Sequence, residues 1–125
     1  MANKPTPEPM SPMTPSELLA EAGRWLDSHG WIQGNFYDEK LAACLLGGLH
    51  FAARGHYGRD WRARHAAVST ATDALAEVAA EVQGQPFDGS SQAAVIEHNN
   101  EWCLDRADAV ATLEKASAKL AERGL

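Results

Sequence analysis

Three side chains, a cysteine, a histidine and an asparagine, stand in the order that one cysteine-hydrolase logic uses. Cys44 would be the nucleophile, Gln33 an oxyanion donor, His98 a base and Asn99 its orienter. The surroundings argue against that chemistry. Leu41, Leu45, Leu46 and Leu49 flank Cys44, and cysteine is among the most buried residue types. A helix running from a cap at Asp38 would place Cys44 about six residues in, beyond the turn in which the helix dipole lowers a thiol pKa. His98 and Asn99 are adjacent, so on a helix they point in different directions. The expectation is a core thiol that alkylates after Cys103, which follows Trp102 in an irregular turn. No catalytic residue is assigned. Gln33, Cys44, His98 and Asn99 stand as an alternative pocket for a small molecule or a cysteine-dependent hydrolysis. As a structural alternative, Gln33, Asn99 and Asn100 are amides that satisfy irregular backbone between helices.

A metal is not expected. His50, His56, His65 and His98 have no pair at i, i+4, and neither cysteine belongs to a CxxC. No other cofactor is implied.

The second cluster with chemistry is Gly55-His56-Tyr57-Gly58-Arg59-Asp60-Trp61-Arg62-Ala63-Arg64-His65. Arginines interleaved with aromatics suit contact with an anion. Arg54, Arg59, Arg62 and Arg64 against Asp60 give residues 50–65 a local charge of +3, while the whole chain carries −6 and the remainder therefore −9. An acidic bulk disfavours general nucleic-acid affinity and leaves residues 54–65 as the place an anionic partner would be drawn. Arg62 and Arg64 near a helix N-terminus also oppose the dipole, a cost that an acidic partner would relieve.

The elements that must position these residues are helical. Val occurs five times and Ile twice in 125 residues, a composition that favours helix over strand. Residues 1–13, rich in proline, are expected to be a disordered or polyproline-like tail. Thr14, Pro15 and Glu17 form a capping box with proline at the first helical position. Leu18, Ala22, Trp25, Leu26 and His29 then share a face, and Gly30 is the expected left-handed stop, with Trp31 packing back. Trp31–Tyr37 is a short strand or an ordered loop. Asp38 is expected to cap a buried helix over 39–54, whose Gly47 and Gly48 mark close approach by another backbone. Asp60 caps a long helix to about Val82. Its Val68, Ala71, Leu75, Val78 and Val82 make a narrow seam, the basis of a third reading as a homo-oligomer. Ser90 or Ser91 starts a short helix, residues 99–104 form an irregular turn, and Asp105 caps the last helix.

Length and composition bound the rest. The chain suits one helical domain, residues 14–125. It has no apolar run long enough for a membrane span and no signal-peptide core in residues 1–13. Its two cysteines form no disulfide framework, so a reducing cytoplasm is expected.

Three segments resemble an uncharacterised family of small proteins from actinobacteria and their phages. An amphipathic helix ends in a G-W-x-Q-G element, here Gly30-Trp31-Ile32-Gln33-Gly34. A C-x-x-G-[AG]-[IL] helix follows, here Cys44-Leu45-Leu46-Gly47-Gly48-Leu49. Near the end a W-N-D turn precedes a V-x-x-L-x-x-A helix, here His98-Asn99-Asn100 and then Val110, Leu113 and Ala116. The turn departs from the pattern at His98 and Asn100, so it lacks the carboxylate of the W-N-D element. The resemblance implies a fold and a lineage and no activity.

The sequence therefore predicts an all-α bundle of four to five helices with a short irregular or β-like insert after the first. The leading function is an accessory protein, phage-encoded or phage-related, that binds another macromolecule, most simply a protein. The predicted binding surface joins Trp31, Gln33, Phe36 and Tyr37 to Arg54, Tyr57, Arg59, Trp61, Arg62 and Arg64.

Overall fold

The computed structural model describes residues 13–57, 60–86 and 89–125. Residues 1–12, the bulk of the predicted tail, lie outside that set. Met13 lies within it, packs against the core and accepts a hydrogen bond from the Tyr57 hydroxyl.

The described residues form five α-helices: α1 Pro15–His29, α2 Leu45–Arg54, α3 Trp61–Gln83, α4 Ser91–Glu97 and α5 Arg106–Glu122. Helix α1 packs mainly on α5 and α2, and α3 packs on α5 and α4. The arrangement is an all-α bundle, and no helix among the described residues is long and apolar enough to cross a membrane.

Local chemistry explains most helix ends. Thr14 accepts from Glu17 N, Glu17 accepts from Thr14 N, and Pro15 opens α1, so the capping box stands as predicted. Asp60 caps α3 through Ala63 N, Ser90 caps α4 through Ala93 N, and Asp105 caps α5 through Asp108 N. Gly84 ends α3 in the left-handed conformation, which costs glycine no Cβ clash. Gly30 ends α1 at φ 106° and ψ 165°, a positive φ but not the left-handed helical well that was expected.

The start of α2 differs from the prediction. It begins at Leu45, not near Glu39, and its N-cap is Cys44, whose Sγ accepts from Gly47 N at 3.4 Å. Asp38 instead caps a tight turn, its Oδ1 accepting from Lys40 N and Ala42 N. Leu41 in that turn adopts φ 66°, a conformation that no L-residue carries into a right-handed helix. The Leu41 carbonyl is held by the Trp25 indole N–H at 2.9 Å. The insert at 31–43 is a loop pinned by isolated bridges, Trp31 with Ala43 and Tyr37 with Ala43.

The core is built from Leu18, Leu19 and Leu26 of α1, Leu45 and Leu49 of α2, Leu75 of α3, and Leu113 and Leu120 of α5, all fully or almost fully buried. Ala71, Leu75 and Val78 of the predicted seam are buried in this core, while Val82 stays half exposed. Three of the five seam residues therefore pack within the chain, with Val68 only partly buried.

Candidate functional site

The first place where motif residues converge is a hydrogen-bonded clamp. Residues 98–102 follow α4 as a π-helical turn, whose wider winding leaves backbone carbonyls without their usual donors. Gln33 supplies one, its Nε2 lying 3.2 Å from Asn99 O, 3.0 Å from Asn100 O and 3.2 Å from Cys103 O. Asn99, 1% exposed, ties together the loop, α2 and the π-turn. Its Oδ1 accepts from Trp31 Nε1 at 2.8 Å and from Leu45 N at 3.1 Å, and its Nδ2 donates to Ile32 O at 3.1 Å. Asn100 Oδ1 accepts from Gly34 N at 2.9 Å. Gln33, Asn99 and Asn100 thus hold irregular backbone, and Trp31 has its indole N–H committed to the same clamp.

A cavity of about 240 Å³ opens beside this clamp, lined by Gly34, Phe36, Cys44, Ile96, Asn99 and Asn100 among others. Cys44 and Asn99 of the alternative pocket are brought together here. His98 is not. Its ring Nδ1 pairs with Gln83 Nε2 at 3.1 Å, and it lines a different depression with Cys103, Asp108 and Thr112. The Gln33 amide N–H groups are already taken up by carbonyls. The nucleophile, base and oxyanion donor of a hydrolase are therefore not assembled around Cys44.

Cys103 corrects another expectation. It was predicted to be the accessible thiol, yet it is 2% exposed, and burial pushes its pKa up to about 11. The π-turn folds inward where an open turn was expected. Cys44 is 6% exposed, and burial also raises its pKa, outweighing the N–H groups of the helix start. Native iodoacetamide labelling at neutral pH is expected to be slow at both, roughly tenfold or more below the unfolded chain, with Cys44 ahead of Cys103. Mass spectrometry of the digested protein would read this, and rapid modification of Cys103 first would contradict the packing.

The buried His98 sets a pH dependence. Burial holds its pKa below the ordinary histidine value, and the charge of Asp108 opposes this only in part. The unfolded imidazole takes up its proton near pH ~6.5 and the folded one only at lower pH. The unfolded state binds more protons between those values, so stability falls as pH falls through that window. Thermal unfolding midpoints should therefore drop from neutral pH to about pH 5.5, and His98→Gln should flatten the slope. Equal slopes in the two proteins would rule out His98 as a source.

The second place is a surface. Phe36 and Tyr37 are 44% and 59% exposed and stand beside α2. Trp25 stacks on Phe51 with ring centroids 4.6 Å apart, and Tyr37 meets the same ring edge-on at 5.5 Å. A depression of about 190 Å³ lies among Phe36, Tyr37, His50, Phe51 and Arg54. A neighbouring one of about 340 Å³ lies among His50, Arg54, Trp61, Arg64, His65 and Val68. His50 and Arg54 line both, so an aromatic depression lies next to a basic one. Trp61 is 61% exposed, with the Arg62 guanidinium 5.4 Å from its ring centroid. Among the described residues no carboxylate pairs with Arg54, Arg62 or Arg64, whereas Arg24, Lys119 and Arg123 all have such partners. Partial shielding and the charge of Arg64 hold the His50 pKa below the ordinary value.

Of the predicted binding residues, this surface gathers Phe36, Tyr37, Arg54, Trp61, Arg62 and Arg64. Tyr57 is 7% exposed and belongs to the core, and its hydroxyl donates to the Met13 carbonyl. Trp31 and Gln33 belong to the clamp. Arg59 lies outside the described residues. His50, Phe51 and His65 were not foreseen, although the i, i+4 spacing of His50 and Arg54 on α2 was a usable signal.

These features define a small all-α protein with an internal amide clamp and an aromatic–basic face. The chain matches a family of unknown function (DUF6197) over residues 10–119 and belongs to that family. Comparison with curated proteins and with solved structures gave no match.

Proposed function

We propose that this protein is an accessory protein that binds another macromolecule, most simply a protein, through the face carrying Phe36, Tyr37, Arg54, Trp61 and Arg64, with no catalysis of its own. The observation that supports the reading is the adjacency of the two depressions, which share His50 and Arg54 as lining. Exposed aromatics next to arginines without carboxylate partners among the described residues are the composition of energetic anchors at interfaces. An origin in an actinobacterium or its phage, as the sequence resemblance implies, belongs to the same reading. The test is affinity capture from an actinobacterial lysate with the wild type and an Arg54→Glu/Trp61→Ala double variant side by side. A protein retained by the wild type and lost by the variant supports the face. Equal retention by both removes it.

A second reading is favoured by the cavity beside Cys44. Its volume of about 240 Å³ falls just below the usual range of ligand pockets, roughly 300–1,000 Å³, so only a small molecule would fit. Cys44→Phe would fill it. Loss of capture in that variant, with the double variant unaffected, would move the function to the cavity.

A further inference from the structure

The face described above has two unlike halves, and together they specify an occupant. Resting on that reading of the face, we infer that its partner is an acidic peptide segment of another protein, carrying an apolar side chain beside its carboxylates. The aromatic half offers an apolar depression between Phe36, Tyr37 and Phe51. The basic half offers Arg54 and Arg64, with Trp61 and His65 beside them. Because Arg54 lines both, the apolar side chain and the carboxylate that it serves must lie within a few residues of each other on the bound chain.

Charge complementarity selects an acidic occupant. Arg54, Arg62 and Arg64 have no carboxylate partner among the described residues, and guanidinium pairs with carboxylate through two parallel hydrogen bonds. The same charges disfavour a long nucleic acid. Residues 50–65 carry +3 and the remainder −9, so a polyanion extending past the face would meet repulsion. The aromatic planes also suit a peptide better than stacked bases. Trp25 lies stacked on one face of Phe51, and Arg62 lies over one face of Trp61, which leaves fewer open ring faces than single-stranded binders present. A short acidic segment needs only the depression and the arginines.

The experiment is a selection of displayed random 12-residue peptides on the full-length protein, with the oligonucleotide dT12 measured in parallel. The expected result is enrichment of peptides pairing Asp or Glu with a nearby apolar residue. Their binding should weaken with salt and fall roughly tenfold or more in Arg54→Ala/Arg64→Ala, a charged hydrogen-bonded contact being worth about that much. Circular dichroism shows whether that variant is folded, and Phe36→Ser/Tyr37→Ser gives an independent test of the apolar half. Enriched peptides without acidic residues, tighter binding of dT12, or no enrichment would overturn the inference. If those non-acidic peptides or dT12 are lost in the Phe36→Ser/Tyr37→Ser variant, the face survives with a different partner. Acidic peptides that bind all variants equally would overturn both the inference and the face.

Discussion

Asn99→Ala is expected to lower the stability of the folded chain by about 3 kcal/mol or more. The side chain is 1% exposed and bonds to three separate segments: Trp31 and Ile32 in the loop, Leu45 at the start of α2, and Asn100 in its own turn. Truncation leaves the Trp31 indole N–H, the Leu45 N–H and the Ile32 carbonyl without partners, and each buried orphan costs roughly 1–3 kcal/mol. The Leu45 N–H has no substitute nearby, because the local cap, Cys44, serves Gly47 N. Asn99→Asp isolates the donor side. It keeps an acceptor for Trp31 and Leu45, but it places a carboxylate where Nδ2 now donates to Ile32 O, and it buries a charge. Both variants should fall well below the wild type in urea unfolding midpoint. A loss under about 1 kcal/mol in Asn99→Ala would mean that water replaces the amide and that the clamp does not organise the fold.

Gly47→Ala and Gly48→Ala, adjacent and chemically identical, should differ in outcome. A Cβ at Gly47 would stand 1.9 Å from the Phe36 carbonyl oxygen and 2.9 Å from its carbon. That carbonyl already accepts from Cys44 N at 3.1 Å, so relief requires the 31–43 loop to move off α2. Overpacking of this kind costs roughly 1–3 kcal/mol and occasionally more. A Cβ at Gly48 would meet Ala22 O and Leu26 Cδ2 at 3.4 Å, ordinary contact. There the better helix propensity of alanine, about 1 kcal/mol, should leave stability unchanged or raised. Gly48→Leu would overpack against Ala22 and Leu26. Thermal unfolding of both alanine variants checks this, and equal effects at the two positions would contradict the close approach of Phe36 to α2.

These two predictions mark where the sequence was legible. Caps at Thr14, Asp60, Ser90 and Asp105 are local, since side chain and backbone partner lie within three residues, and a linear reading finds them. The α2 start differs because only part of what fixes it is local: Cys44 caps through Gly47 N, but the Leu45 N–H is satisfied by Asn99, 54 positions away. Asp38 looked like a cap and does hold backbone N–H groups, but of a turn that Leu41 closes with a positive φ. The π-turn was read as irregular, and the inward placement of Cys103 was lost with it, since nothing in His98–Trp102 signals a wider helix.

The candidate face shows the same division. Arginine and aromatic spacing singled out residues 54–65, and the loop aromatics were visible as exposed candidates. That Phe36 and Tyr37 sit beside Arg54 depends on the loop folding back over α2, a tertiary fact set by the Phe36 carbonyl and by Gly47. Tyr57 could not be separated from the surface residues by composition, because its hydroxyl is held by the Met13 carbonyl, 44 positions away in sequence. The G-W-x-Q-G, C-x-x-G and H-N-N segments, read separately, turn out to be parts of one clamp. Their residues hold the fold together, while Phe36 and Tyr37, between the first two segments, contribute to the exposed face.

The most direct measurement is a proton–nitrogen NMR titration of the full-length protein with an acidic peptide enriched in the selection. Shift changes are expected at Phe36 and Tyr37, along His50–Arg54, and over Trp61–His65 including the Trp61 indole N–H, with Ile96, Asn100 and Trp102 unmoved. Changes centred instead on Gly34, Ile96, Asn99 and Asn100 around Cys44, or on the exposed Val82, Trp102 and Leu104, would contradict the aromatic–basic face as the site of action.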